Sequence, residues 1–403
     1  MNGSDAGLQV SPHEAIASPT HGVNDDASSL TDGVALCLSG GGYRAMLFHL
    51  GALWRLNELG WLRRLNRVSS VSGGSITNGV LALAWNRLEF NDSGIALAFR
   101  DEVVDPIRRF ASVTIDVPAI LKGLFTAESA SDYVAESYDS RLFHGRTLQD
   151  LPDQKEGVAP DFIFCASNMQ SGELFRFSKP YIRDWRVGEI RNPKVKVALA
   201  VAASSSFPPF VSPLRLQFSE SDYVDDSGQD LQMPPYTTQP TLTDGGVYDN
   251  LGLETAWKRY RTILVSDAGG SLSPDPVPHR DWLRQLLRVI DLIDTQDTSL
   301  RKRQVMASYQ LPRDDGPTWR SGTYWGIRTD ITEYGLSDSL PCPYAATIRI
   351  ANEPTRLARF SESDQQRTIN WGYAVCDAAM RRYVIEGTAP AAPRFPYPSA
   401  GVG

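Results

Sequence analysis

The sequence predicts an α/β protein built on a mainly parallel sheet, and three observations carry that expectation. The apolar run Val34-Ala-Leu-Cys-Leu-Ser39 leads straight into Gly40-Gly-Gly42 and then into a stretch with helical spacing. Arg67-Val-Ser-Ser-Val71 repeats the arrangement, breaking at Ser72-Gly-Gly74 before a second apolar helix. Two strand–turn–helix units in succession call for the crossover connections of a parallel sheet with helices on its faces. Third, neither an internal repeat nor a Pro/Gly/Ser linker interrupts residues 33–388. One domain is expected there, with flexible tails at 1–32 and 389–403.

Each element has its own local reason. The first run is continuously apolar, as a strand buried on both faces must be. Over residues 43–59, Met46, Leu47, Leu50, Leu53 and Trp54 recur at helical spacing, and Gly60 stands where a C-terminal cap belongs. A helix over 76–85 follows the second strand, and further strands are expected at 161–166, 174–177 and 261–265. Residues 282–293 form an amphipathic helix, and 362–384 another, opened by the hydroxyl cap and following acid of Ser361-Glu-Ser-Asp364.

Composition narrows the function. The 403 residues are 42% hydrophobic and 22% charged, which excludes a disordered or disulfide-stapled chain. A net charge of −7 offers no general attraction to phosphate backbones, so no nucleic-acid partner is expected. Cys37, Cys165, Cys342 and Cys376 lie far apart, so they read as buried free thiols in a reducing compartment, and no metal is expected. The opening thirty residues lack a signal-peptide pattern, and no window is long and apolar enough to span a membrane. A cytoplasmic protein, at most peripheral at the inner membrane face, is the expectation.

The turn Ser39-Gly-Gly-Gly42-Tyr-Arg44-Ala45 aims backbone amides outward from a helix N-terminus, a geometry suited to negative charge. Gly40-x-Gly42-x-x-Ala45 also fits a loose dinucleotide fingerprint. That reading wants an acidic residue ending the next strand, where this chain has Val71-Ser72-Gly73. At Ser70-Val-Ser72-Gly-Gly74, a serine between small residues on a strand-to-helix turn has the form of a nucleophile elbow, though Ser70 stands where glycine is usual; a plain tight turn explains the same residues.

A nucleophilic serine needs a base. His13 and His21 fall in the tail, His49 sits among apolar helix residues, and His144 and His279 occupy loops. The other source is Thr243-Asp244-Gly-Gly246, where two small residues let a carboxylate face a crowded site, although Asp-Gly is equally a hairpin signal.

The glycine turn with its arginine, the serine elbow and the distant Asp-Gly-Gly together resemble the ordered signature of the patatin-like phospholipases. Ser171-Gly-Glu-Leu-Phe-Arg-Phe177 and Val201-Ala-Ala-Ser-Ser-Ser-Phe-Pro-Pro209 fall between them in the family's order. The resemblance implies a three-layer α/β/α patatin-like fold and a Ser72–Asp244 dyad. It further implies an oxyanion hole at Gly40, Gly41 and Gly42 with Arg44 beside it, and no cofactor. The implied activity is phospholipase A-type hydrolysis of fatty-acyl esters, on a phospholipid or other acyl-lipid substrate. A catalytically silent lipid-binding module and a dinucleotide-binding oxidoreductase are the alternatives; oligomeric state is open.

Access to a lipid calls for an apolar entrance. Residues 103–125, with Ile107, Phe110, Val113, Ile115, Val117, Ile120, Leu121, Leu124 and Phe125, are a candidate lid resting on a bilayer, and a buried helix pair broken at Pro118 accounts for the same pattern.

Overall fold

The computed structural model describes residues 30–119, 130–313, 316, 318–387 and 393–403. The strands are β1 (Thr31–Leu38), β2 (Leu65–Val71), β3 (Asp161–Asn168), β4 (Leu174–Phe177), β5 (Tyr181–Asp184), β6 (Gly188–Arg191), β7 (Leu214–Arg215), β8 (Thr241–Asp244), β9 (Tyr260–Asp267) and β10 (Ser321–Gly326). The helices used below are α1 (Gly42–Glu58), α2 (Gly73–Ala84), α3 (Asp105–Ala111), α4 (Ala130–Tyr138), α5 (Val197–Ser204), α6 (Gly246–Asp249), α7 (Glu254–Trp257), α8 (Trp282–Gln310), α9 (Tyr344–Ala351) and α10 (Glu362–Tyr383).

These strands form one sheet in the order β10-β9-β1-β2-β3-β4-β5-β6. The pairings from β10 to β3 are parallel and the remainder antiparallel, so the expected mainly parallel α/β sheet is the observed centre of the fold. Strand β1 has β2 on one side and β9 on the other. The chain order therefore reverses at β1, the place where open α/β sheets hold ligands beyond their strand ends.

Alternation along β1 divides the core. Leu36 and Leu38 face the larger cluster with α1, α2, α5 and α10, while Ala35 and Cys37 face a smaller one containing Leu251, Leu253, Trp257 and Val305. Helix layers thus cover both sheet faces. Helix α1 is buried along nearly its whole length because α10 lies across its outer side. Their backbones meet closely: a Cβ at Gly51 would fall 2.0 Å from the Ile369 carbonyl oxygen, and one at Gly372 would fall 1.9 Å from that of Phe48. Nearby, Arg55 pairs with Asp377 at 2.7 Å with both side chains inside the core.

Two expectations change. Residues 393–403 are not detached from the domain, because Asn370 Nδ2 donates to the Tyr397 and Gly401 carbonyls at 2.8 and 2.7 Å and Val402 is buried. The ordered domain also starts slightly earlier than residue 33, since Thr31 already pairs with Tyr260. As for the lid candidate, Val103, Ile107, Phe110 and Ile115 are core residues. Ile120, Leu121, Leu124 and Phe125 lie outside the described residues. All four cysteines are free and buried, and burial pushes each thiol pKa upward.

Candidate active site

Strand register explains how Ser72 and Asp244, far apart in sequence, come together. Strand β2 ends with Val71 opposite Cys165 of β3. The next β3 residue, Ala166, is opposite Asp244, the last residue of antiparallel β8. Strands β2 and β8 therefore meet end to end along one side of β3, and the side chains of their two turns meet there. Asp244 is followed by Gly245 and the short helix α6, so the hairpin reading of Asp-Gly does not apply.

Ser72 takes φ 51° and ψ −120° as the residue before α2. That is a strained conformation for a residue with a Cβ, and such strain clusters where function needs it. It is held by the end of α5: the Ser72 N–H donates to the Ser204 carbonyl at 3.2 Å and to Ser204 Oγ at 3.0 Å. The same serine run fixes the other partner, with Asp244 N–H donating to the Ser206 carbonyl at 3.0 Å and Gly245 N–H to that of Ser204 at 3.2 Å. Ser204 and Ser206 are site residues that sequence reading missed; the Ser204-Ser-Ser206 run after an apolar stretch was the available signal.

Ser70 joins this bracing. It donates to the Ile163 carbonyl at 3.0 Å and accepts from Asn78 Nδ2 at 2.9 Å. With its own proton committed, Ser70 must accept from Ser75 (2.9 Å), and Ser75 then accepts from Ser204 (2.8 Å), leaving Ser204 Oγ free to receive the Ser72 amide. The hydroxyl in place of the usual glycine thus begins a hydrogen-bond relay ending on the elbow. Ser70→Gly, although it restores the commoner pattern, is expected to lower unfolding stability by about 1–3 kcal/mol, because Asn78 and Ser75 lose a buried partner; urea titration measures this.

The Asp244 carboxylate is buried. Oδ1 accepts from the Gly246 amide at 2.8 Å, while among the described residues Oδ2 has no hydrogen bond of good geometry. Burial raises the acid's pKa from 3.8 to about 7; the Gly246 amide and the nearby Ser72 side chain oppose the rise, and Asp294 on α8 adds to it. An open acceptor beside a serine, with a pKa near neutrality, suits a general base. Hydrolysis should therefore increase through about pH 7 as this group loses its proton. Removing the negative charge in Asp294→Asn should shift that limb of the kcat/KM profile to lower pH.

The glycine turn lies against the elbow: a Cβ on Gly40 would sit 3.2 Å from Ser72 Cβ, and one on Gly73 2.1 Å from the Gly42 carbonyl oxygen. Its amides are not equivalent. Gly40 N–H is already bonded to the Asn250 carbonyl at 3.1 Å, which corrects its expected place as an oxyanion donor. Gly41 and Gly42 amides have no acceptor among the described residues. Gly42 also abuts the Arg356 backbone, and Gly40 abuts Asn250 Oδ1, so the turn is packed where a dinucleotide would need room.

Arg44 is buried, and its guanidinium lies behind Gly41, where a Cβ on that glycine would fall 3.1 Å from Arg44 Nη2. It donates to the Ala268 carbonyl at 3.0 Å, to Thr355 Oγ1 at 3.0 Å and to the Glu353 carbonyl, joining the loops after β9 and α9. Burial, with Arg328 nearby, lowers its pKa to about 10. Its contacts serve to brace the loops behind the glycine turn.

The described histidines, His49, His144 and His279, lie elsewhere, and His13 and His21 fall outside the described residues. Both His49 ring nitrogens are engaged, with Ser266 Oγ at 2.8 Å and the Ser39 carbonyl at 2.9 Å, and burial depresses its pKa to about 4. His279 contacts Arg284 at an exposed site, and His144 caps a helical turn with φ 48°.

A family model described as patatin-like phospholipase matches residues 36–257. Among solved structures, human GIVD cytosolic phospholipase A2 superposes with a TM-score of 0.51 at 14% identity, covering 88% of this chain and 59% of that one. The same human enzyme in complex with methyl gamma-linolenyl fluorophosphonate gives a TM-score of 0.52 at 15% identity, covering 91% and 59%. The chain thus spans about three fifths of those neighbours. No curated protein matches.

Proposed function

Because the chain belongs to the patatin-like phospholipase family, we propose that it hydrolyses fatty-acyl esters of phospholipids or related lipids, with Ser72 as nucleophile and Asp244 as its general base. One observation carries the reading above all: the end-to-end meeting of β2 and β8 leaves an open carboxylate oxygen beside a strained serine, under two unengaged glycine amides. A carboxylate oxygen that faces the serine hydroxyl and accepts from no other described donor is placed to take that hydroxyl's proton.

In the proposed reaction Ser72 Oγ attacks the ester carbonyl carbon while Asp244 takes the hydroxyl proton. The amides of Gly41 and Gly42 stabilise the tetrahedral oxyanion. The bond to the alkoxide oxygen then breaks, Asp244 returns the proton to that oxygen, and a lysolipid leaves. Water attacks the acyl-enzyme and gives its proton to Asp244; that proton passes to Ser72 Oγ as the fatty acid departs. Gly40 and Arg44 act by position, Gly40 through its bond to Asn250 and Arg44 through the loops it ties.

The test is a lipid-like fluorophosphonate followed by peptide mass mapping, alongside fatty-acid release from phosphatidylcholine vesicles. A stoichiometric adduct on Ser72 with matching loss of release is the expected result. Release that continues unchanged after complete labelling, or an adduct on another serine, would overturn the assignment. Intact protein that binds vesicles but neither labels nor releases fatty acid would favour the silent lipid-binding alternative.

A further inference from the structure

The amphipathic helix expected at 282–293 is present, but its apolar face has no partner among the described residues. Within α8, Trp282, Leu283, Leu286, Val289, Ile290 and Ile293 fall inside an arc of about 120°, and all six are exposed, Trp282 at 75% and Ile293 at 63%. Arg284, Arg288 and Asp291 occupy the opposite side; of the other apolar residues in this stretch, Leu287 is half-buried past the edge of the stripe and Leu292 falls on the side away from it. In a soluble domain such a stripe normally faces the core.

Its position follows from length. Helix α8 runs back along β9, with Tyr309 OH donating to the Ile263 carbonyl at 2.8 Å. Sixteen residues of helix separate Tyr309 from Ile293, about 24 Å, whereas β9 ends four residues past Ile263, about 13 Å on. Ile293 and everything before it therefore overhang the strand ends. That is also the edge holding Ser72 and Asp244, since α8 packs on α6, Arg301 donates to the Tyr248 carbonyl at 2.9 Å, and Asp294 acts on the Asp244 carboxylate. On the same side of the molecule the catalytic groups are ringed by further exposed apolar residues: Phe207, one residue beyond the serine that holds Asp244, Phe210, and Val247 on α6.

We infer that the overhanging first three turns of α8 are the surface by which this protein docks on a phospholipid bilayer. The inference rests on the lipid-hydrolase reading of the Ser72–Asp244 site and identifies how its substrate is reached. Two features favour a bilayer over another protein surface: the stripe overhangs the same edge that holds the site and its exposed apolar residues, and Trp282 stands at the outermost turn. Arg284 and Arg288 lie on the far side of the helix, Arg288 donating to the Ser273 carbonyl at 3.2 Å, so the attraction is one of apolar contact.

The experiment uses the full chain carrying Ser72→Ala, so that binding is read without turnover, and vesicles of phosphatidylcholine and phosphatidylglycerol. Adding Trp282→Ser, Leu286→Ser and Ile293→Ser together should lower vesicle co-sedimentation at least about tenfold, whereas Leu292→Ser on the opposite face should change it little. In the active chain the triple variant should keep turnover of a short soluble ester and lose release from vesicles. Unchanged vesicle binding by the triple variant would overturn the inference. So would a parent dimer that becomes monomeric in the triple variant with vesicle binding intact, since the stripe would then belong to a second copy. If the parent hydrolyses no ester but still loses vesicle binding with the stripe, the catalytic reading fails and the docking surface stands.

Discussion

Ser72→Ala is expected to cut ester hydrolysis by about three orders of magnitude or more, and Asp244→Asn to come close to it. The two losses should not add, because nucleophile and base act on one proton, so the double variant should be scarcely slower than either single one. Steady-state release of fatty acid and hydrolysis of a soluble ester both measure this. Asp244→Asn should differ from Ser72→Ala in stability. Burial raises the Asp244 pKa from 3.8 to about 7, so the unfolded chain gives up this proton at lower pH than the folded one. Stability therefore falls as pH rises from about 4 to about 7, by on the order of 4 kcal/mol for a shift of that size, and stays reduced above it. Asparagine carries no such penalty. Its Tm should match the parent's near pH 4 and exceed it at pH 8, giving a variant that is firmer and inactive. A loss of Tm at pH 8 would show that the carboxylate stabilises the fold instead.

Gly42→Ala is the second large effect. Gly42 has φ 61°, and a Cβ there would lie 2.5 Å from the Arg356 carbonyl oxygen. The backbone must move, and with it an amide assigned to the oxyanion. A fall in kcat of about 10²–10³ is expected, as for loss of one oxyanion donor, with KM changed little. Left-handed backbone strain alone should cost about 1–2 kcal/mol of stability. Gly145→Ala is the control, because Gly145 has a similar φ of 76° in open space. It should lose comparable stability and keep its activity. Equal loss of activity in both variants would mean that Gly42 matters only to folding.

The long, patterned elements were legible in the sequence. Strands β1, β2, β3 and β9 begin or end within a few residues of their expected places, β4 matches residue for residue, and α1, α2 and α10 follow their apolar spacing and caps. Helix α8 starts at Trp282 as expected but continues to Gln310, since its later turns carry few apolar residues and no stop signal. Strands β5 to β8 are two to four residues long, too short for alternation to register. In β10, glycines at both ends of Gly322-Thr-Tyr-Trp-Gly326 disguise a strand that depends on pairing with β9.

At the candidate site, residue types pointed to the serine, the acid and the glycine turn that the fold brings near one another, because strained turns and crowded carboxylates restrict what can occupy them. The division of labour among the glycines was not legible. It depends on which carbonyl reaches which amide, and Asn250 arrives at Gly40 from a different part of the chain. The same holds for Arg44, whose acceptors at 268, 353 and 355 come from loops much later in the chain.

The close crossing of α1 and α10 bears on how the protein is made. Strand β2 is complete by residue 71, yet the helix before it cannot be covered until residue 383 has been translated, and β1 waits for β9 to supply its second neighbour. A nascent chain must therefore carry an uncovered apolar helix through most of its own translation. Late long-range closure of this kind is slow and prone to aggregation, so a ribosome-bound fragment stopped before α10 should be held by chaperones or degraded.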